Sequence, residues 1–325
     1  MKPLNILVVG GCGYIGTHMV KALIAAGHHP VTLDNLSTGH RRLLPGGDFI
    51  EGDIGDTALL DGIFASRRID AVMHFAAFIE VGESVRDPLK YYGNNFARTA
   101  NLLEAMIRHN VKRFIFSSSA AVYGEPEYTP IDEAHPLNPT SPYGESKLWV
   151  EKMLAASERA HGMRSIALRY FNAAGADESG TIGERHEPES HLIPLVLEAA
   201  RGQREHIKIF GVDYPTPDGT CIRDYIHVND LVSAHLAAID ALLDGAGSNV
   251  YNLGNSRGIS VREIIETARR VSGRPIPVVE DPRRPGDPAV LIAGSDRIKK
   301  DLNWQPRFES IEDIMHTAWR WHAGK

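Results

Sequence analysis

Cysteine is scarce: the 325-residue chain has two, Cys12 and Cys221. Two thiols so far apart build neither a disulfide framework nor a cysteine-rich metal cluster, and they fit a reducing compartment. Positive charge is not in excess either. The 35 Lys and Arg are outnumbered by 41 Asp and Glu, for a net charge of −6, which leaves no basic field for nucleic acid. Long hydrophobic runs are also missing. The opening "MKPLNILVVGG" carries one lysine and an apolar run broken by glycines. It is too short for the apolar core of a signal peptide and far too short to span a membrane. A cytoplasmic protein with neither membrane nor nucleic-acid partner is expected. No pair among the 15 histidines has zinc-protease spacing, so no metal is expected. Internal repeats and low-complexity tracts are absent as well.

What is present is the balance of a globular protein, 43% apolar and 23% charged. The length suits one large or two ordinary domains with a core that needs no staples. Short apolar runs at 5–10, 30–34, 70–77, 113–119 and 165–172 read as strands. Helical patterns lie between them, over 15–26, from near Asp56, over 95–110 (Leu102, Leu103, Met106 and Ile107 on one side) and from Tyr143 onward. Continuous apolar strands alternating with helices predict a doubly wound parallel α/β sheet of Rossmann type. After Asn172 the rhythm changes. Residues 173–190 are polar and read as a long loop, and such loops are usually functional or mobile. A helix over 191–201, a strand over 207–210, a loop over 211–225, a helix over 228–243 and strands over 249–253 and near 276–280 follow. The expected organisation is a Rossmann domain over 1–172 with returning segments near 228–253. A smaller α/β lobe over 173–325 is interleaved with it.

"VVGGCGYIGTH" places Gly10, Gly13 and Gly16 between a strand and a helix. In that context the glycines allow a tight turn, close approach of a pyrophosphate and close helix packing, with phosphate at the helix N-terminus. Asp34 ends the second strand, where a carboxylate accepts hydrogen bonds from ribose hydroxyls and repels a 2′-phosphate. That favours NAD over NADP as the cofactor. In "EGDIGD", Asp53 is placed to meet the adenine amino group, while Asp56 fits a helix N-cap better. Ser119 ends the strand "RFIFSSS", and in "SPYGESK" Tyr143 stands one helical turn before Lys147. Taken alone the pair is either a solvated helix face or a phenol base assisted by a lysine. Ser119 and the glycine loop favour the second, because ligands sit at the carboxyl ends of parallel strands.

These motifs resemble the extended short-chain dehydrogenase/reductase family. With "LDNLS", "EGDI", "HFAA", "VGES", "SSSAAVYG", "LRYFNAAGA", "DGTCIRDYIHV", "YNLG" and "RRPGDPA", the chain resembles the nucleotide-sugar epimerases within it over nearly its whole length. The resemblance implies NAD-dependent interconversion of UDP-galactose and UDP-glucose at C4 through a 4-keto sugar. It implies Tyr143 as the base, Lys147 on the nicotinamide ribose and Ser119 on the reacting hydroxyl. It also implies a cofactor envelope of Gly10, Gly13, Tyr14, Ile15, Gly16, Asp34, Asn35, Ser37, Thr38, Gly39, Asp53, Ile54, Phe75, Ala76, Ala77, Asn95, Ser117, Tyr170 and Phe171. Without the resemblance, Phe171 is equally a core aromatic, and Cys12 reads as packing. Asn172, His191, Leu192, Lys208, Phe210, Arg223, Arg284 and Asp287 are implied for UDP, with the arginines suited to a diphosphate. A homodimer is implied, with helices near 95–110 and 143–161 pairing across a twofold axis.

Three positions depart from or qualify the pattern. Ile79 stands where some members carry lysine, and His191 where asparagine is frequent. Leu291 occupies the position thought to gate bulky 2-substituents and is intermediate in size, which leaves hexose against N-acetylhexosamine open; UDP-xylose/arabinose and UDP-uronates are the other sibling substrates. Ala120 and Ala121 follow Ser119 where dehydratases of the family carry Asp-Glu, and neither titrates. A dinucleotide-sensing regulator has no need of Tyr143, Lys147 and Ser119 together.

Overall fold

The alternating apolar runs become strands and helices in a computed structural model that describes residues 2–284 and 286–324. In chain order the elements are β1 (Asn5–Val9), α1 (Tyr14–Ala25), β2 (His29–Asp34), β3 (Asp48–Glu51), α2 (Thr57–Ser66), β4 (Ala71–His74), α3 (Val81–Arg86) and α4 (Pro88–Tyr91). Then come α5 (Arg98–Arg108), β5 (Arg113–Ser119), α6 (Pro142–His161), β6 (Arg164–Tyr170), β7 (Asn172–Ala174), α7 (Leu192–Ala200), β8 (Ile207–Phe210) and β9 (Ile222–His227). The chain continues through α8 (Val228–Leu243), β10 (Asn249–Leu253), β11 (Gly258–Ser260), α9 (Val261–Ser272) and β12 (Val278–Asp281), and then β13 (Val290–Leu291), α10 (Asp296–Leu302) and α11 (Ile311–Ala323). Two compact units result. The first comprises residues up to Gly124, Leu137–Arg169 and Val232–Tyr251; the second comprises Glu125–Pro136, Tyr170–Leu231 and the residues from Asn252 onward.

The first unit is organised by a seven-stranded sheet in the order β10-β6-β5-β4-β1-β2-β3. The pairs β1–β2, β1–β4, β2–β3 and β4–β5 are parallel. This is a doubly wound Rossmann sheet, and strand order reverses at β1, where such sheets bind dinucleotides. Leu7, Val9, Phe114 and Phe116 from the strands pack with Leu60 of α2 and Leu102, Leu103 and Met106 of α5. That is the stripe read from the sequence, with Ile107 at its margin. The helix expected over 95–110 is shorter: α5 starts at Arg98, and Tyr92–Ala97 forms a wider, π-helical turn. Asn95 lies in that turn, 2% exposed, with its amide bonded to both backbone groups of Phe78. Asp56 caps α2 through the Leu59 N–H, as its position predicts.

The second unit holds a sheet of β11-β9-β13 with β7 also on β9, and a separate β8–β12 pair. Its core joins Ile193, Val196 and Leu197 of α7 to Ile264 and Ile265 of α9 and Ile314 and Met315 of α11. Ser260 and Glu263 form a reciprocal capping box on α9. The loop expected over 211–225 gives way at Ile222 to β9. Arg223 and Asp224 masked that strand because they are charged. Asp224 is nonetheless fully buried, satisfied by the backbone N–H groups of Asn255, Ser256 and Ala293. The loop expected over 173–190 is mostly irregular, apart from the end of β7 and one bridge between Ala176 and Gly183. Among the described residues, no helix is long and apolar enough to cross a membrane.

Candidate active site

The turn from β1 into α1 shows why glycine is needed at two of its three positions. Gly10 has φ +78°, and a Cβ there would lie 2.5 Å from the Ala76 nitrogen. A Cβ on Gly16 would lie 2.1 Å from the Gly10 carbonyl oxygen, so α1 packs directly onto the turn. Gly13 differs, because a Cβ there would meet nothing closer than 3.4 Å. The protein's own packing does not require that glycine, so its smallness serves whatever approaches the helix start. A pyrophosphate fits this opening, where free N–H groups and the helix dipole favour an anion. Tyr14 and Ile15 form the first residues of α1.

Asp34 sits at the end of β2, 8% exposed. Its carboxylate accepts the Cys12 N–H at 2.8 Å and the Leu36 N–H at 2.8 Å, one per oxygen. Each oxygen keeps a lone pair for a ribose hydroxyl. Burial holds this carboxyl above the usual aspartate range. A Cβ on Gly39 would meet Cys12 and Asp34, so the segment through Asn35, Ser37 and Thr38 lies close over the glycine turn. Cys12 itself is buried with its thiol pushed up to about 12, chiefly by burial, consistent with packing. Asp53 has no idle carboxylate: Asn35, Arg98 and the Gly55 N–H all donate to it. Ile54 is 8% exposed and belongs to the core. Phe75, Ala76 and Ala77 follow β4. The Phe75 N–H bonds the Val9 carbonyl at 2.8 Å, and its ring lies 5.0 Å from His235. Ile79 is half-buried in the same stretch.

The first unit brings Ser119, Tyr143 and Lys147 together. Ser141 caps α6 through the Gly144 N–H and Pro142 occupies its first turn, which fixes where the helix starts. A Cβ on Gly144 would lie 2.4 Å from the Ala121 carbonyl. The glycine thus lets the first turn of α6 press against the short turn after Ser119. Burial raises the Tyr143 phenol above its ordinary range, and the neighbouring Ser119 hydroxyl opposes the rise. Lys147 is 3% exposed. Its ammonium donates to the Ser117 carbonyl at 2.7 Å and lies 6.0 Å from the Tyr143 ring centre. Burial brings Lys147 down to about 7, with Glu151 opposing. The pair is therefore no solvated helix face.

Beneath it lies a buried network that sequence reading missed. Arg169 donates to both oxygens of Glu151, at 3.0 Å and 2.6 Å, and to the Tyr123 hydroxyl at 2.8 Å. Ser118 donates to Glu151 at 2.5 Å. Glu151 follows Lys147 by one turn of α6, and Ser118 precedes Ser119 on β5. The network thus locks the strand carrying the serine to the helix carrying the tyrosine. The only signal was a second turn of the same helix face, Lys147 to Glu151.

The candidate UDP residues lie in the second unit. Arg223 on β9 is ion-paired with Asp287. The Arg284 guanidinium stacks over the Phe210 ring at 3.8 Å. Asn172 donates to the Asp224 carbonyl at 2.9 Å, and Leu192 opens α7. Leu291 on β13 is in register with Arg223. Lys208 pairs with Asp281 at 2.9 Å, and His191 bonds Glu184 through Nδ1. Tyr170 is buried at the end of β6, and the Phe171 N–H bonds the Leu253 carbonyl at 3.1 Å.

The model of the family described as "NAD dependent epimerase/dehydratase family" matches residues 6–254. The UDP-glucose 4-epimerase of Halalkalibacterium halodurans is 53% identical over 319 residues, 98% of this chain and 96% of that protein. Among solved structures, the UDP-glucose 4-epimerase from Brucella ovis in complex with NAD superposes with a TM-score of 0.95 at 48% identity, covering 97% of each chain. The enzyme from Bifidobacterium longum in complex with NAD+ and UDP gives 0.94 at 40% identity, covering 99% of this chain and 98% of that one. With a reversing parallel sheet, a glycine turn and a Ser119–Tyr143–Lys147 constellation of its own, the chain belongs to the NAD-dependent epimerase/dehydratase family, among the UDP-glucose 4-epimerases.

Proposed function

We propose that this isomerase interconverts UDP-galactose and UDP-glucose at C4. The observation that carries the reading is the meeting of half-buried Ser119 and Tyr143 with buried Lys147. NAD, when bound, supplies the two-electron acceptor and donor for the sugar carbon. Gly10, Gly13 and Gly16 would hold its pyrophosphate and Asp34 its adenosine ribose. The chain's own residues handle the proton. Tyr143 takes it from the C4 hydroxyl while Ser119 hydrogen-bonds the same oxygen, and after the 4-keto sugar has turned over Tyr143 returns it. Burial alone opposes a phenolate. The base form would be favoured by Lys147 when protonated and, once NAD is bound, by its oxidised nicotinamide. Lys147, anchored on the Ser117 carbonyl, is also placed for the nicotinamide ribose.

Rotation of the keto sugar requires that the nucleotide be held and the sugar not. Arg223, Arg284, Asp287, Phe210, Asn172 and Leu192 are proposed as the UDP contacts. The Arg284–Phe210 stack presents a planar fork suited to a diphosphate. His191 and Lys208, paired with Glu184 and Asp281, stand on the same footing as Arg223, itself paired with Asp287, and are proposed with them. Incubating the purified chain with UDP-galactose, UDP-N-acetylglucosamine, UDP-xylose and UDP-glucuronate, and following anomeric signals by NMR, tests the substrate. UDP-galactose is expected to turn over fastest. A clear preference for another sugar would replace it, and Leu291 is the first residue to examine.

We further propose a homodimer in the cytoplasm. Val81, Val85, Leu89 and Trp149 of the first unit leave 38–79% of their surface exposed, an apolar strip suited to a second copy. Sedimentation at the mass of one chain would overturn that assignment.

A further inference from the structure

The segment before α7 gathers four potential ligands within eight residues, in the pattern Glu184-x-His186-x-x-Glu189-x-His191. One ligand atom from each lies within 4.8 Å of the other three. Glu184 is 3% exposed, and the Glu189 side chain is 7% exposed. The His186 and His191 rings stand nearly perpendicular, 5.1 Å apart. The segment is braced from behind. The Trp321 indole donates to the Glu184 carbonyl at 2.8 Å, and a Cβ on Gly183 would lie 2.5 Å from the same ring. The Glu189 carboxylate is oriented by the Ser190 and His191 N–H groups at 2.9 and 3.0 Å.

An ion-pair network is the ordinary account of such a cluster, and His191 does bond Glu184 directly. His186 lies within ion-pair range of both glutamates but makes no aligned hydrogen bond to either. Its Nδ1 is buried and has no hydrogen-bond partner, although Glu184 and Glu189 oxygens lie 3.3 and 3.6 Å away. A protonated ring nitrogen would align its N–H with one of them. Those separations instead match ligand atoms around one small cation, about 3.3 Å apart when each bond is about 2.0 Å. Two carboxylates and two neutral imidazoles also balance the charge of one dication. We propose that Glu184, His186, Glu189 and His191 form a binding site for a first-row divalent cation, zinc by preference. Four protein ligands leave no open position, so the site is structural. It fastens the irregular 175–191 segment to the first turn of α7, replacing the direct His191–Glu184 hydrogen bond. The sequence expectation of no metal considered helical zinc-protease spacing, which an irregular loop does not follow.

The test uses the full chain after dialysis against a chelator. Titration with zinc by calorimetry is expected to show one tight site per chain. Cobalt(II) at the same stoichiometry is expected to give the visible absorption of a four-coordinate centre. His186→Ala and Glu189→Gln should each weaken zinc at least tenfold and remove the zinc-induced rise in melting temperature. If one variant does not fold, as judged by circular dichroism, the other carries the comparison. No stoichiometric zinc in the wild type, a six-coordinate cobalt spectrum, or unchanged affinity in the folded variant would overturn the proposal.

Discussion

Tyr143→Phe is expected to retain bound NAD and lose about 10²–10⁴-fold in kcat, the usual contribution of a positioned acid–base group. The substitution removes one oxygen and keeps the ring, so the first turn of α6 still packs on the turn after Ser119. What is lost is the hydroxyl that neighbours Ser119 and, in the proposed reaction, accepts the C4 proton. KM for the UDP-sugar should change little, because the nucleotide contacts are assigned elsewhere. Turnover within threefold of wild type would remove Tyr143 from the base role and leave Ser119 as the next group to examine.

Glu151→Ala should produce the largest loss of stability. Arg169 is 3% exposed, and the Glu151 carboxylate takes two of its hydrogen bonds. Removing Glu151 leaves a buried guanidinium with Tyr123 as its remaining side-chain acceptor and the Ser118 hydroxyl without the carboxylate. Breaking one side of a buried pair costs about 3–5 kcal/mol, a fall in melting midpoint of the order of ten degrees. Glu151→Gln keeps the shape and one acceptor, and should fall between the two. Because Ser118 and Ser119 are neighbours, the surviving fraction should also turn over more slowly. A midpoint within two degrees of wild type for Glu151→Ala would show that the network is not what locks β5 to α6.

The first unit was legible because its signals are local. Apolar strands covered on both faces, a glycine turn at one strand end and Tyr143 one turn before Lys147 all operate within a few residues. The Glu151–Arg169 pair was hidden because its partners are 18 residues apart on different elements, and each reads as a surface charge by itself. Asp224 hid β9 for the same reason: a carboxylate satisfied by three backbone N–H groups looks polar in sequence and is core in the fold. Asp53, expected at the adenine amino group, follows β3, and its carboxylate already accepts from Asn35, Arg98 and the Gly55 N–H. No spacing rule shows that. The Glu184–His191 cluster has neither a helical nor a strand period, and only the folded loop brings its ligands together.

In the proposed reaction the hydrogen removed from C4 of the sugar returns to the same carbon, and Tyr143 exchanges only the hydroxyl proton. UDP-galactose deuterated at C4, incubated with the purified chain in ordinary water without added reductant, tests this most directly. UDP-glucose should form with the deuterium still at C4. No UDP-glucose after long incubation with NAD present, or product whose C4 deuterium has washed out to solvent, would contradict it.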